Sequence, residues 1–316
     1  MKVMLVDVPN LFWRVVSATS KKFDGNPEEK AALALHSCIM TMNKWFNVVK
    51  PDQVIVVFEG NNNWRKAYTS SPKCVSKRLY KGNRVRDPSM AHLFEVLSDF
   101  EKLARAHTSI VCLSASEVEG DDLIAGCTKR FSNQGDEVTI VSGDKDFMQL
   151  LKHPRVTLLN PDNGKPRLHD DPHFFMFEKC FRGDLGDNVP SAYPRVRIQR
   201  LQKAFKDDYE RTQIMNETWT FTHPDTKEEI LFNVGELYEE NKILMDLEAQ
   251  PDYIQEIIES TIEHGLNTHG KFSLFAFSKF LGQHELKDIA LNIDRYVKLL
   301  SCVPKAPLTQ QGILKF

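Results

Sequence analysis

Short apolar runs alternate with segments of helical spacing through the first half of the chain, and this pattern predicts an α/β fold. The run VIVVF at residues 54–58 is continuously apolar, which is typical of a strand buried on both faces in a parallel sheet. Strands that alternate with helices imply crossover units and a mainly parallel sheet flanked by helices. The predicted strands are residues 2–8, 54–58, 109–113, 138–141 and 156–159. The predicted helices are residues 28–49, 89–106 and 119–131.

The pattern changes in the second half of the chain, where helical spacing dominates. Residues 236–300 are predicted to form several helices, while 208–235 fit neither the helical nor the strand period. The last stretch, 301–316, contains two prolines and has no periodicity, so we expect a flexible tail. The expected divisions are an α/β domain over 1–180, a helical region over 181–300 and the tail over 301–316.

The composition is that of an ordinary soluble protein, since 41% of the 316 residues are hydrophobic and 27% are charged. No apolar run approaches the roughly 18 residues of a membrane span, and the apolar start of the chain is too short for a signal peptide. Six cysteines without a CxxC pair are typical of reduced thiols in an intracellular protein. We expect a cytoplasmic monomer with no membrane partner, located in the host cytoplasm if the protein is viral.

Positive charge is concentrated in two stretches, although the formal net charge of the chain is only −2. Residues 61–86 contain no acid and eight basic residues, with Trp64, Tyr68 and Tyr80 among them. Residues 195–206 also contain no acid and carry five basic residues. Basic stretches with interleaved aromatic rings favour binding of nucleic acid, especially of single strands. The alternatives are a disordered basic loop for the first stretch and a solvated basic helix for the second.

Acidic side chains follow the predicted strands at the points where the strands end. The pair Asp144-x-Asp146 comes after the strand 138–141 and a Ser-Gly turn. In an open α/β sheet the carboxyl ends of the strands form the edge where sites are built. Each acid alone is also explained as a helix cap, a turn residue or an acidic helix start, but their joint placement favours one site. The acids are Asp7, Glu59, Glu119, Asp121, Asp122, Asp144, Asp146, Asp184 and Asp187.

So many carboxylates cannot share one edge unless cations neutralise them. Oxygen-only ligands favour hard ions such as Mg²⁺ or Mn²⁺. Two such ions about 3.5–4 Å apart are a common arrangement for cutting phosphodiester bonds. The pattern therefore favours a phosphodiester-cleaving enzyme with two divalent ions. The Asp144-x-Asp146 pair also suggests a dehalogenase-type phosphatase, but Phe147 stands where that site has a small β-branched residue.

Four blocks of the sequence resemble the structure-specific 5′-nuclease, or flap endonuclease, family. They are SGDKD at 142–146, EGDD at 119–122, GDLGDN at 183–188 and YKGNR at 80–84. The resemblance extends from residue 1 to about residue 300. It implies a PIN-like α/β nuclease domain with a basic helical arch at about 61–95, followed by a C-terminal helical DNA-binding region.

The resemblance also implies roles for individual residues. Asp144 and Asp146 would be catalytic, Lys81 and Arg84 would contact the scissile phosphate, and Tyr80 would stack on an unpaired base. The first metal site would use Asp7, Glu59, Glu119 and Asp121, with Asp122 nearby. The second would use Asp144, Asp146 and Asp187, with Asp184 assisting. Contacts to nucleic acid are expected from Arg65, Lys66, Tyr80, Lys81, Arg84, Arg195, Arg197, Arg200 and Lys203.

Two positions depart from the family pattern. Glu59 stands where the family often has aspartate, which keeps the type of ligand. Residues 189–194 lack the glycines of the hairpin that binds potassium in the family, so we expect no potassium ion. The basic helix that follows would take over the phosphate contacts of that hairpin. Its buried face is expected to consist of Ile198, Leu201 and Phe205.

The implied activity is a divalent-metal-dependent 5′-3′ exonuclease and flap endonuclease that also degrades RNA–DNA hybrids. Its substrates would be DNA with 5′ ends or flaps and RNA–DNA hybrids, and its role the removal of RNA primers and adjacent DNA in replication. The alternatives are a PIN-type endoribonuclease and a non-catalytic, clamp-tethered DNA-binding factor. PIN-type endoribonucleases lack the basic stretch 61–86, and a non-catalytic factor would need no carboxylate cluster.

The end of the chain resembles a sliding-clamp-binding peptide. Gln310 is followed three residues later by Ile313 and three after that by Phe316, so one helical turn would bring the last two side chains together. The alternative is a tail with no partner. A single-stranded-DNA-binding protein is a further candidate partner.

Overall fold

The computed structural model describes residues 1–19, 27–84, 87, 90–222, 227 and 229–303. The three residues predicted to bind a sliding clamp, Gln310, Ile313 and Phe316, lie outside these ranges. None of the helices in the described ranges combines the length and the apolar character that a membrane crossing requires. All six cysteines are free thiols in the structure, and all but Cys302 are buried.

A central sheet of six strands confirms the predicted α/β class. The strands are β1 (Lys2–Asp7), β2 (Gln53–Val57), β3 (Val111–Leu113), β4 (Glu137–Val141), β5 (Val156–Leu159) and β6 (Pro166–Arg167). Their order across the sheet is β3-β2-β1-β4-β5-β6. Strands β1 to β5 are parallel, and β6 runs antiparallel to β5. The five predicted strands are thus confirmed, whereas β6 is too short to give a sequence pattern.

Helices cover both faces of this sheet, and a separate two-stranded hairpin lies in the second half of the chain. The helices are α1 (Val8–Thr19), α2 (Pro27–Val49), α3 (Trp64–Thr69), α4 (Ala91–His107), α5 (Gly120–Asn133), α6 (Pro172–Arg182), α7 (Ile198–Lys206), α8 (Asp208–Met215), α9 (Val234–Met245), α10 (Asp252–Asn267), α11 (Leu274–Gln283), α12 (Lys287–Leu291) and α13 (Asp294–Leu300). A 3₁₀ helix spans Asp146–Lys152. The hairpin strands are β7 (Thr218–Thr222) and β8 (Glu229–Asn233).

Alternate residues of the central strands point into two different cores, as the period of a strand requires. Val6 and Val56 pack on one face with α1, α2, α4 and the helices α11 to α13. Leu5 and Ile55 pack on the other face with α5 and α10. Because both faces are covered, the strands have no polar side, which is why they appear in the sequence as continuous apolar runs.

The predicted helical region divides between two locations. Helices α6 to α9 enclose a core of their own, which includes Phe181 and Leu201. Helix α10 instead packs on α5, where a Cβ on Gly126 would come within 2.4 Å of Ile258. Helices α11 to α13 likewise return to the face covered by α2 and α4. The helices after residue 251 therefore complete the sheet's own cores, and the proposed boundary at residue 180 stays a prediction.

The described part of the expected arch, residues 61–84, 87 and 90–95, contains α-helix only in α3 and at the start of α4. Hydrogen bonds to α9 and to α3 hold the turns that follow α3 in place. The buried Glu240 of α9 accepts hydrogen bonds from the backbone N–H groups of Val75 and Ser76. Thr69 Oγ1 accepts a bond of 3.0 Å from the Tyr80 N–H. These residues form a folded layer against α9 and not a loose basic loop.

Candidate metal centre

The acids meet where the direction of strand addition reverses. Strand β1 lies between β2, which follows it in the chain, and β4, which arrives later from α5. Crevices at such switch points, outside the carboxyl ends of the strands, are the usual binding sites of open α/β sheets. Asp7 is the last residue of β1, Glu59 follows β2, and Asp144 follows β4. Glu119 reaches the same edge as the N-cap of α5.

Asp7 is held rigidly at the floor of this crevice. It is buried, and its carboxylate accepts bonds from Ser142 Oγ at 2.8 Å and from the Asn10 N–H at 3.1 Å. The Asn10 side chain in turn accepts from the Gly143 N–H at 2.8 Å, so β1 and the loop after β4 are fixed together. Burial raises the pKa of Asp7 to about 7, with Glu59 and Asp144 adding to the increase and the hydrogen bonds opposing it.

Two more acids crowd the same position. Burial raises the pKa of Asp121 well above its usual range, and the charges of Asp7, Asp144 and Glu59 raise it further. The pKa of Glu59 is also raised, by desolvation first and by Glu119 next. Although Glu59 as a residue is exposed, its carboxylate lies against the backbone, where it accepts from the Gly120 N–H at 3.1 Å. The raised pKa values of these acids have burial as their largest cause, and the charges of the neighbouring acids add to it.

The structure corrects the expectation that Asp122 belongs to the first metal site, because hydrogen bonds already occupy both oxygens of its carboxylate. Arg65 donates to both of its oxygens at 2.7 Å, and Trp64 Nε1 and Gln250 Nε2 donate at 3.1 and 3.0 Å. Burial alone would raise the pKa of Asp122, but the Arg65 charge and these bonds lower it. This side chain is 0% exposed and is placed as a structural partner of Arg65, not as a metal ligand.

Arg65 corrects a second expectation, since it does not reach the surface where nucleic acid would lie. It is 1% exposed, and besides Asp122 it binds Glu119 Oε2 at 2.8 Å and the Leu244 carbonyl at 2.7 Å. The guanidinium therefore ties α3 to the start of α5 and to the end of α9. Nothing local distinguishes Arg65 from the exposed Lys66 beside it in the sequence.

The YKGNR block docks on the GDLGDN turn through backbone and side-chain amide hydrogen bonds. The Lys81 N–H donates to the Asp187 carbonyl at 2.8 Å, and the Asn83 amide donates to the Leu185 carbonyl at 3.0 Å. The Asn188 amide returns a bond of 2.9 Å to the Leu79 carbonyl. Two of the blocks that resemble the family motifs are thereby joined into one surface next to the acids.

The side chains of this block point at the carboxylates. Lys81 Nζ pairs with Glu119, and Arg84 Nη2 lies 2.5 Å from Asp187 Oδ1. The Tyr80 hydroxyl donates to Asp187 at 2.9 Å and lies 3.2 Å from Glu119. Because Tyr80 is only 5% exposed, its ring has no open face for an unpaired base, which corrects the expected stacking role.

Lys179 of α6 is a functional candidate that the sequence did not reveal. Its ammonium group pairs with Asp146 and lies 3.4 Å from Asp184 Oδ2, with the side chain only 11% exposed. Burial alone would lower the pKa of Lys179, but Asp146 and Asp184 raise it. The pKa of Asp146 is raised by burial, which Lys179 partly offsets. The one indication of this role in the sequence is that Lys179 lies four residues before Gly183 of the GDLGDN block.

The GDLGDN turn has a conformation that requires its first glycine. Gly183 has φ of 69°, and a Cβ there would lie 2.4 Å from the Pro190 carbonyl oxygen. Asp184 Oδ1 accepts from the N–H groups of Gly186 and Asp187 at 2.8 and 3.3 Å. The turn thus directs Asp184 towards Lys179 and Asp187 towards Arg84.

The second basic stretch is partly engaged in ion pairs. Arg200 bonds to Glu217 and to the Tyr193 hydroxyl, and Lys203 lies 2.6 Å from Glu210. Leu201 is buried in the core of α6 to α9, and Ile198 and Phe205 are partly buried, as expected for the inner face of α7. Among the residues expected to contact nucleic acid, those with an exposed position are Lys66, Arg84, Arg195, Arg197 and Lys203.

The arrangement suits divalent cations in its chemistry, although the carboxylates are paired with the protein's own cations. Within the described ranges, no three His, Cys, Asp or Glu side chains are arranged to hold a metal ion as they stand. The donor set is nonetheless all oxygen, and a divalent cation would stabilise the charged forms of Asp7, Glu59 and Asp121, whose pKa values are raised by burial and by neighbouring acids. The residues present therefore fit a metal centre.

The fold and this acidic edge define a nuclease family. Residues 2–177 match the family model described as the 5′-3′ exonuclease, N-terminal resolvase-like domain, and the chain belongs to this family. A 5′-3′ exonuclease of Buchnera aphidicola (subsp. Schizaphis graminum) is 26% identical over 197 residues, which are 57% of this chain and 62% of that protein. The ribonuclease H of Enterobacteria phage T4 is 29% identical over 171 residues, 52% of this chain and 53% of that protein. The matches thus span less than two thirds of these relatives.

A solved structure extends the likeness to most of the chain. The bacteriophage T5 D15 flap endonuclease, in a complex with DNA and metal ions, superimposes with a TM-score of 0.59 at 20% identity. The match covers 85% of this chain and 99% of that one. The two proteins therefore share the fold over the nuclease sheet and the helices that follow it.

Proposed function

We propose that this protein is a divalent-metal-dependent 5′-3′ exonuclease and flap endonuclease that also degrades RNA in RNA–DNA hybrids. One observation carries the proposal. Acids from four strand ends or helix starts converge at one edge of the sheet, and beside them Lys81 and Arg84 of the YKGNR block pair with Glu119 and Asp187. Membership in the 5′-3′ exonuclease family supports the same reaction.

The acids divide into two groups that would hold two Mg²⁺ or Mn²⁺ ions. The first group is Asp7, Glu59, Glu119 and Asp121. The second is Asp144, Asp146, Asp184 and Asp187. Bound ions of this kind supply an activated water and stabilise charge on the scissile phosphate and the leaving oxygen. We propose that no potassium ion is bound, because residues 189–194 contain no glycine.

The basic side chains have a second role once a substrate is present. Lys81 pairs with Glu119, and Arg84 with Asp187, so both are held at the site before any phosphate arrives. A phosphate would offer them an alternative anionic partner, and cationic donors already at the site would stabilise an anionic transition state. Arg84 is the more exposed of the two, since its side chain is 58% exposed against 17% for Lys81.

The surface lysines and arginines would hold the substrate beyond the cleaved bond. Lys66, Arg195, Arg197 and Lys203 are exposed and suit phosphates of DNA with 5′ ends or flaps, or of RNA–DNA hybrids. We propose a role in the removal of RNA primers and adjacent DNA during replication, with a sliding clamp bound through Gln310, Ile313 and Phe316. A pull-down with the cognate clamp tests this peptide by comparing the full-length protein with a protein truncated after Thr309. Equal retention of the two would show that the peptide does not bind the clamp.

A cleavage assay tests the activity. A 5′-labelled flap and a 5′-labelled RNA–DNA hybrid are incubated with Mg²⁺ or with EDTA, and the products are sized. We expect short products from the 5′ end in Mg²⁺ only, and none from the Asp144→Asn/Asp146→Asn variant. The Asp288→Asn variant, which changes an exposed acid in α12, serves as the control and should cleave normally. Products that start from the 3′ end, or cleavage in EDTA, would contradict the proposal.

A further inference from the structure

A cavity of about 520 Å³ opens beside the acidic edge, between α1, α4 and the loops that follow β2 and β3. Glu59 forms the border between this cavity and the candidate metal centre. The rings of Trp13 and Phe94 stand together in its wall, with centroids 4.7 Å apart and planes at 55°. Phe94 is 47% exposed, and together with Trp13 it forms an aromatic wall of the cavity. The volume lies in the range of roughly 300–1,000 Å³ that small-ligand sites occupy.

The polar groups of the cavity disfavour a phosphate. Its lining contains the acids Glu59 and Glu101 and the hydroxyl groups of Ser98, Ser114 and Ser116, and none of the lining residues in the described part of the chain is basic. The lining therefore offers hydrogen-bond acceptors and, among the described residues, no cation of its own for a phosphate. A flat, uncharged group that carries hydrogen-bond donors fits both the ring pair and the acceptors. A nucleoside has this chemistry, because every base has a π-face and the ribose carries hydroxyl donors.

Glu101 is the acceptor with the most defined orientation. Its Oε1 accepts from Ser114 Oγ at 2.6 Å and from Arg105 Nη2 at 2.8 Å. Arg105 is fixed in turn by the Ser114 hydroxyl and the Cys112 carbonyl. Among the residues that the structure describes, no donor bonds to Glu101 Oε2, and the side chain is 25% exposed. One oxygen is thus held in place and the other is available to a ligand.

We infer that this cavity binds one nucleoside of the cleaved strand and favours a ribonucleotide there. The base lies against Trp13 and Phe94, and Glu101 Oε2 accepts a hydrogen bond from the ribose 2′-hydroxyl, which DNA lacks. The cavity adjoins Glu59, so the selected nucleotide is next to the scissile phosphate. This inference rests on the proposed nuclease function and gives it a preference for RNA at one position.

A binding scan tests the inference without relying on cleavage. A set of flap substrates carries a single ribonucleotide at successive positions on either side of the flap junction, and Kd is measured by fluorescence anisotropy in EDTA. A hydrogen bond to a charged acceptor should tighten binding about tenfold at one position relative to the all-DNA flap. Cleavage of the all-DNA flap in Mg²⁺ is run in parallel, so that a failure of the proposed function is seen separately.

Three variants assign the effect. For Glu101→Gln, the Kd of the best ribonucleotide-containing flap and the Kd of the all-DNA flap should lie within about twofold of each other, because the variant removes the charge of the acceptor. Glu95→Gln, on the same helix with its side chain 76% exposed, should keep the tenfold ratio. Trp13→Ala should weaken binding of both substrates about tenfold and also keep the ratio, since stacking does not sense the sugar. Equal affinities at every position in the wild type, or a full ratio in Glu101→Gln, would overturn the inference.

Discussion

Replacing Arg65 by methionine should destabilise the protein far more than its place in a basic surface stretch suggests. The guanidinium is 1% exposed and bonds to Asp122, Glu119 and the Leu244 carbonyl. The variant leaves the carboxylate of Asp122, which is 0% exposed, without its cation. Breaking a buried pair from one side costs about 3–5 kcal/mol of unfolding free energy. For a chain of 316 residues this lowers Tm by about 5–8 °C.

Urea unfolding at pH 7 in EDTA measures the loss directly. Lys66→Met is the matched control, because Lys66 is the next residue of α3 and is exposed, and it should change stability by no more than about 0.5 kcal/mol. Adding Asp122→Asn to Arg65→Met removes the unpaired charge and should restore about 1–3 kcal/mol. The reasoning is refuted if Arg65→Met costs no more than Lys66→Met, or if Asp122→Asn restores nothing.

Three further perturbations follow from the same contacts. Gly183→Ala should lower the free energy of unfolding by about 1–3 kcal/mol in thermal unfolding, because Gly183 has φ of 69° and faces the Pro190 carbonyl. The control Gly282→Ala, in open space within α11, should leave this free energy unchanged or raise it. Lys179→Met should tighten Mn²⁺ binding about tenfold in calorimetry without DNA, because it removes a cation beside Asp146 and Asp184; unchanged affinity would show that Lys179 does not compete with the ion. Burial alone would raise the pKa of Glu248, but His153 and Lys152 lower it from 4.5 to about 2. This depressed pKa contributes stability above about pH 4.5 that is lost as pH falls towards 2, so Glu248→Gln should cost about 1 kcal/mol at pH 6, after allowance for solvent screening, and progressively less below pH 4 in urea unfolding. An equal cost at pH 6 and pH 3 would contradict the assignment.

The sheet and the acidic edge could be predicted because both leave local signals. Strands buried on both faces give continuous apolar runs, and acids at the ends of parallel strands share an edge whatever the details of packing. Asp7, Glu59 and Asp144 were located in this way. The short strand β6 and the hairpin β7–β8 left no such signal, since two-residue strands and mixed patterns have no readable period.

The roles of the basic residues could not be predicted because tertiary contacts decide them. Arg65 and Lys66 are neighbours in one acid-free stretch, yet one is buried with two acids and the other is exposed. Tyr80 shows the same limit, since its hydroxyl bonds to residues 39 and 107 positions away. Lys179 pairs with acids on the 3₁₀ helix and on the following turn, a contact that only the folded chain reveals.

The central claim is that the acids at this edge hold metal ions that cleave the phosphodiester bond. The most direct test is the single-turnover rate on a 5′-labelled flap as Mg²⁺ is titrated, for the wild type and for Asp121→Asn, with flap affinity measured in EDTA. We predict no cleavage by the wild type without metal, saturation as Mg²⁺ rises, and a rate at least about 100-fold lower for Asp121→Asn with flap affinity retained. Cleavage by the wild type in EDTA, or an Asp121→Asn variant that cleaves at the wild-type rate with the same Mg²⁺ dependence, would contradict the account.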